Sequence, residues 1–168
     1  MRRMTIILPM LAVLAATAAG ARGFIIKDLT SEGKAAAAAL GAGFQLRSTP
    51  SRLILHCGSC AGEPVVDLVL GFQSDGTEER VRSGKTTMAD LERLCRTRSA
   101  QCRITALDVK PAVGWVSAYP IGDRAGATAV IIRDGQLLTI RSVANEAGQT
   151  RRNINRLIPL ARSRIVGP

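Results

Sequence analysis

The feature that most constrains the fold is a pair of apolar runs joined by Asp134-Gly135, in "AVIIRDGQLLTI". Both turn residues tolerate the positive φ that a two-residue hairpin turn requires, so the stretch predicts a tight β-hairpin. Pairing Arg133 with Gln136 fixes its register, because successive side chains on a strand point to opposite faces. The predicted core face of the hairpin consists of Ala129, Ile131, Leu138 and Ile140.

Alternating apolar residues predict further strands on both sides of the chain's middle. The clearest alternation, over 65–72, places Val66, Leu68, Leu70 and Phe72 on one face and Val65, Asp67 and Val69 on the other. The stretch 43–57 predicts two strands turned at Thr49-Pro50, with His56 and Cys57 on opposite faces. Similar patterns predict strands over 103–109 and 113–120.

An alanine-rich stretch near the N-terminus, "LTSEGKAAAAALGAGF", predicts a short helix. Thr30 or Ser31 is a suitable N-cap, and Gly41 or Gly43 is suited to end the helix. The alternative is a flexible linker of small residues, because alanines bury little surface and Gly33 weakens a helix.

Two amphipathic stretches predict helices later in the chain. The first, "TMADLERLCRTRS", follows a cap at Thr86 or Thr87. The second covers 145–168, with Asn145 as its cap and a kink or break expected near Leu157 because Pro159 lacks a backbone N–H. The apolar stripe of this last helix consists of Ile154, Leu157, Ile158, Ala161 and Ile165.

The order of helix, strands, helix, strand meander and helix predicts a single α+β domain, an antiparallel sheet with helices packed on it. A late hairpin followed by a closing helix is similar to the order in small exported sandwiches of the PsbP type. No motif diagnostic of that family accompanies the topology, so no family is assigned from it. The expected organisation is a signal peptide over 1–21, an N-terminal helix or linker over 22–45, and the α+β domain over 46–168.

The first residues have the layout of a secretory signal peptide. Arg2 and Arg3 precede an apolar run over 4–16, and small residues follow, with the best cleavage site at Ala19-Gly20-Ala21. The run is short for a membrane span, and no later segment approaches the roughly 20 apolar residues that a transmembrane helix needs. We therefore expect a periplasmic or secreted protein without a transmembrane segment after cleavage.

The chain is basic, with a formal net charge of +10 that arises mostly from arginine. A basic exported protein is attracted to anionic surfaces, so an anionic envelope component, another envelope protein or a peripheral membrane contact is a plausible partner. Nucleic acid is not expected in that compartment. The alternative is a basic surface that only maintains solubility.

Four cysteines in an exported chain predict two disulfides. The local pairing joins Cys57 to Cys60 and Cys95 to Cys102, and two crossed pairings stay open. The Cys-x-x-Cys spacing also occurs in thiol-disulfide exchange sites and in metal sites. Redox chemistry is disfavoured because the residues after Cys60 alternate as a strand, whereas a helix N-terminus would lower the pKa of a thiol.

No catalytic group, metal site or cofactor is assigned from the sequence. His56, the only histidine, points away from Cys57 on the predicted strand and so cannot form a dyad with it. Trp115 and Tyr119 share one strand face and are one candidate binding face, lining a ligand groove or an interface. The alternative is that Trp115 is simply the largest core residue, with Tyr119 at the rim of the core. A second candidate binding face is the arginine-rich last helix, with Arg151, Arg152 and Arg156.

These observations favour a non-enzymatic exported binding or interaction protein of the cell envelope. The alternative is a thiol-disulfide redox or metal-handling protein that uses Cys57 and Cys60.

Overall fold

The computed structural model describes residues 23–168 of the chain. The predicted signal peptide, residues 1–21, lies outside the described residues. Within 23–168, the helices are too short or too polar to cross a bilayer.

Within the described residues, a single seven-stranded sheet forms the centre of the structure, and every pair of neighbouring strands in it is antiparallel. Its strand order is β1-β2-β3-β7-β6-β5-β4. The strands are β1 (Gln45–Thr49), β2 (Arg52–His56), β3 (Val65–Phe72), β4 (Arg103–Ala106), β5 (Val113–Ile121), β6 (Arg124–Arg133) and β7 (Gln136–Ala144). Helices pack on this sheet, so the predicted α+β class is confirmed.

The predicted hairpin joins β6 to β7 in the expected register. Arg133 pairs with Gln136, and both turn residues have positive φ, 50° for Asp134 and 76° for Gly135. The predicted core-face residues Ala129, Ile131, Leu138 and Ile140 are all fully buried. The hairpin turn is also held from outside, because the N–H of Gly135 donates to Glu78 Oε2 over 3.0 Å.

The described part of the chain also forms four α-helices, which pack around the sheet. They are α1 (Gly33–Leu40), α2 (Thr77–Arg82), α3 (Met88–Arg96) and α4 (Ala147–Leu160), and a π-helical turn, Ala161–Val166, continues α4. Helices α1 and α4 pack on each other and on one face of the sheet, and the hydrophobic core lies between them and that face. The N-terminal segment therefore contributes a helix to the same core, in place of the flexible linker considered above.

The apolar stripe predicted for the last helix faces this core. Ile154, Leu157, Ala161 and Ile165 are fully buried, and Ile158 packs against them from a partly buried position. Burying an aliphatic side chain of this size stabilises the fold by about 1.5–3 kcal/mol. The stripe is thus a main attachment of α4 to the sheet.

Several predicted helix ends were wrong. Thr30 and Ser31 lie in a 3₁₀ turn and do not cap α1, whose N-cap is Glu32. Asn145 does not cap α4, because that position falls to Glu146. Pro159 does not break α4 near Leu157. Packing of the stripe on both sides of the proline keeps the chain helical there.

Two further predictions failed for lack of burial. Phe72 shares a predicted face of β3 with Val66 and Leu68, which are fully buried, yet it is 81% exposed because the strand runs past the edge of the core. Helix α3 is capped by Thr87, one of the two predicted caps, where the structure shows a capping box with Asp90, but the helix buries no residue completely. Helix α2 was not predicted, since its six residues include one apolar side chain, Val81, and so carry no apolar periodicity.

The register of the β6–β7 hairpin makes a direct prediction about stability. Ile131 is fully buried and its neighbour Val130 lies on the opposite, partly exposed face. We expect Ile131→Ala to lower the free energy of unfolding by about 2–5 kcal/mol, and Val130→Ala by about 1 kcal/mol. Urea denaturation measures both. Equal losses would contradict the assignment of the two faces.

Candidate functional site

The sheet has a second face, opposite α1 and α4, which we call the open face. Helix α2 contacts β5, and α3 contacts β4 and β5, but the helices make no extensive contact with β2 or β3 within the described residues. Side chains on the open face of β1, β2, β3, β7 and β6 therefore have no helical layer over them. This face is a surface of the sheet on which a partner could lie.

A mainly polar row crosses the middle of the open face. Strand register places six side chains next to one another in the row, in the order Arg47, Ile54, Asp67, Arg141, Thr128 and Ser117. Because these residues come from six different strands, only the pairing of the whole sheet brings them together.

Asp67 lies at the centre of this row and is bound by two arginines. Its Oδ2 accepts from Arg52 over 2.8 Å and from Arg141 over 2.9 Å. The Asp67 side chain is only 7% exposed, while those of Arg52 and Arg141 are 47% and 50% exposed. One carboxylate thus orients two guanidinium groups that still face solvent, and the cluster keeps a net positive charge.

A cleft of about 290 Å³ opens at the β1 end of the same face. Its lining consists of Gln45, Arg47, Ile54, His56 and Val65. The side chain of Arg47 is exposed, and it makes no hydrogen bond or ion pair with any residue in 23–168. The cleft therefore combines an available guanidinium group with two aliphatic walls and an imidazole.

Trp115 and Tyr119 lie on the β5 side of the open face. The interpretation of Trp115 as the largest core residue was wrong, because it belongs to neither the buried core cluster nor the side chains packed against it. Both residues are partly exposed, and the hydroxyl of Tyr119 is 2.7 Å from Thr128 Oγ1. The two aromatic side chains border the polar row on the open face.

The arginines of α4 lie on the other side of the molecule. Arg156 donates to the carbonyl of Leu40 over 2.7 Å and so holds the end of α1, and Arg152 donates to Gln149 on its own helix. Arg151 is partly buried. Trp115 and Tyr119 lie on the other face of the sheet, although Tyr119 also lines a cleft with Ala147 and Thr150 at the start of α4.

The cysteines follow the local pairing. Cys57 is bonded to Cys60 and Cys95 to Cys102, with Cα atoms 5.4 Å and 5.9 Å apart. No cysteine remains free. Two disulfides fit a protein outside the cytoplasm, where thiols are oxidised.

The Cys57–Cys60 disulfide has one buried and one accessible side. Cys57 is fully buried at the end of β2, whereas Cys60 is partly exposed in the turn that follows, and no helix begins after it. The backbone of Gly43 passes so close that an added Cβ would lie 3.0 Å from Cys57 Sγ. His56 is exposed on the opposite face of the strand, as predicted.

Carboxylates outside the open face serve turns, caps and edges. The backbone N–H of Thr87 and, with a smaller effect, its side-chain hydroxyl donate hydrogen bonds to Asp90 and lower its pKa to about 2. The side chain of Thr77, then its backbone N–H, does the same for Asp75. The N–H of Ile104 donates to Glu92 and lowers its pKa. These shifts have local structural causes.

The comparisons add no relative to this geometry, since no protein-family model and no curated protein sequence matches the chain. Within 23–168, no group of three or more His, Cys, Asp or Glu side chains is arranged to hold a metal ion.

Sequence reasoning missed the arginines of the open face. Arg52 and Arg141 are far apart along the chain, and Arg141 is 74 residues from Asp67. The only signal was a lone aspartate between Val65 and Val69 on one face of an apolar strand, which predicts a cationic partner across the sheet without identifying it.

The Asp67 cluster predicts the effect of a single substitution. We expect Asp67→Ala to lower the free energy of unfolding by about 1–3 kcal/mol, because two charge-assisted hydrogen bonds are lost. Asp123→Ala, at an exposed turn carboxylate, should change it by less than about 0.5 kcal/mol. Urea denaturation at neutral pH gives the free energy of unfolding of the two variants and of the unaltered protein. Equal effects would show that Asp67 does not hold the two arginines.

Proposed function

We propose that this chain is an exported, non-enzymatic binding protein of the cell envelope, and that its open face binds an acidic partner. The observation that carries the proposal is the arrangement around Asp67. On the open face, the guanidinium groups of Arg52 and Arg141 bind this one carboxylate, and Arg47 lies two strands away in the same row. A partner with negative charges would complete the balance.

The surroundings of these arginines also suit a binding surface. Val69 and Thr139 pair directly across β3 and β7 beside the charged row, and Val130 and Trp115 continue the line toward β5. These side chains are partly buried by their neighbours and present apolar surface between charged groups. Such a mixture favours an amphipathic partner over a simple counter-ion.

The proposed location rests on two features of different kinds. The disulfides fit a protein outside the cytoplasm. The basic start, apolar run and small residues of the first 21 positions predict export. A periplasmic protein and a secreted protein are both consistent with these features.

Charge reversal on the two sides of the molecule tests the proposal. We expect Arg47→Glu, on the open face, to weaken binding of a fluorescein-labelled poly-L-glutamate peptide by at least about tenfold. The control is Arg152→Glu on α4, a change of equal charge that should weaken it by no more than about twofold. Fluorescence anisotropy measures both at physiological salt.

Equal losses in the two variants would mean that the peptide responds only to net charge, and the open face would then lose its special role. A larger loss for Arg152→Glu would place the binding face on α4.

The alternative, a redox or metal-handling role for Cys57 and Cys60, is favoured by one observation, the partial exposure of Cys60. Cys60 is the less buried of the two cysteines, whereas Cys57 is fully buried.

The reduction potential of this pair separates the two hypotheses. We expect a value below about −300 mV, typical of a structural disulfide, because no helix N-terminus stabilises a thiolate at either cysteine. Equilibration with reduced and oxidised dithiothreitol, read by mass spectrometry of the peptide containing 57–60, gives the value. A potential near those of disulfide exchange enzymes would favour the alternative instead.

A further inference from the structure

The two edges of the sheet are finished differently. At the β4 edge, Glu92 of α3 accepts the N–H of Ile104 over 2.9 Å, and the Cys95–Cys102 disulfide ties α3 to the start of that strand. A carboxylate thus occupies a backbone donor that a further strand would need. At the opposite edge, β2 is the only partner of β1 among the strands formed by 23–168.

Hydrogen bonding in β2 shows which backbone groups of β1 point outward. Cys57 donates to Pro64, and Leu70 donates to Ser51, so the odd-numbered residues of β2 face β3. Because backbone direction alternates along an antiparallel strand, the even-numbered residues of β2 face β1.

The register then assigns the groups of β1 itself. Gln45, Arg47 and Thr49 pair with those even-numbered residues, so their N–H and C=O groups are used within the sheet. The N–H and C=O groups of Leu46 and Ser48 point away from it. Within 23–168 these groups have no backbone partner, and such an edge is a template for one more strand.

The chemistry of this edge indicates what could pair with it. Arg47 lies between Leu46 and Ser48 with its side chain on the open face, exposed and without a partner in 23–168. In the register that overlaps all five residues of β1, a second copy would place Arg47 directly opposite itself. Like charges opposite each other are destabilising, and a carboxylate at that place is favourable.

We propose that β1 binds an extended, acidic segment of another protein, which adds an eighth strand to the sheet beside Leu46 and Ser48. The residue opposite Arg47 is a glutamate or aspartate at a non-hydrogen-bonded pair, where side chains lie closest. The cleft beside Gln45 and His56 accommodates the next side chain on the same face of the added strand. Backbone bonds supply affinity and these side chains supply selectivity.

This inference rests on the proposed function, because it names the partner class and the docking edge for the same open face. It also goes further, since strand addition requires the outward backbone groups of β1 and not only its charge.

The test removes one of those backbone groups. Ser48→Pro deletes the outward N–H and no bond to β2, and proline is tolerated on an edge strand where the N–H faces solvent. We expect it to weaken binding of a fluorescein-labelled peptide of alternating Thr and Glu by about tenfold. Ser48→Ala keeps the N–H and should bind as the unaltered protein does. Circular dichroism checks that both variants are folded.

A modified peptide tests the same bonds without altering the protein. Two versions of the Thr-Glu peptide are used, one N-methylated at every Thr and one at every Glu. Each version lacks the N–H groups along one edge of the extended peptide. We expect at least one version to bind about tenfold more weakly, since its methyl groups would face β1. Arg47→Glu should reverse the preference and favour a Thr-Lys peptide.

Unchanged binding with Ser48→Pro and with both methylated peptides would overturn strand addition. If poly-L-glutamate still distinguished Arg47→Glu from Arg152→Glu, the proposed function would stand. A dimer seen by analytical ultracentrifugation that Ser48→Pro dissociates would make a second copy the occupant. Binding to phosphatidylglycerol vesicles without binding to the Thr-Glu peptide would make the occupant a membrane. Either result would overturn the proposal.

Discussion

Burial of one face of the β6–β7 hairpin beneath α4 is the constraint on which the rest of the structure depends. Ile131, Leu138 and Ile140 on the hairpin and Ile154 on the helix are all fully buried in one cluster. Successive side chains on a strand alternate, so fixing this face also fixes which residues point away. Each further strand pairs so that its core-facing residues lie on the same side of the sheet. The residues on the other side form the open face.

That exclusion explains the chemistry of the open face. A sheet covered by helices on one side presents its other side to solvent, where charged residues are tolerated if they are paired or hydrated. Asp67 is nearly buried by its neighbours, and Arg52 and Arg141 neutralise it while remaining half exposed. The same contacts that stabilise the carboxylate hold two cations in place, so structure and proposed binding use one cluster.

The sequence predicted best where a local pattern decides the structure. The Asp134-Gly135 turn, the N-cap at Thr87 and the apolar stripe of α4 each depend on residues within a few positions of one another. Prediction failed where tertiary packing outweighs local preference. The chain stays helical through Pro159, and Phe72 lies outside the core although its strand alternates correctly. For the site, the sequence placed Trp115 and Tyr119 on one strand face, but it did not predict that this face of the sheet stays open.

The sequence by itself determined an α+β chain with an antiparallel hairpin, oxidisable cysteines and a strongly basic composition, because composition and short-range periodicity carry that information. Only the tertiary structure decided which cysteines pair, which face of the sheet stays uncovered and which arginines surround Asp67. It also decided that, within 23–168, the outer side of β1 has no partner strand, whereas Glu92 accepts a hydrogen bond from the outer side of β4. These features arise from contacts between residues far apart along the chain, and no local pattern specifies which distant strand becomes a neighbour.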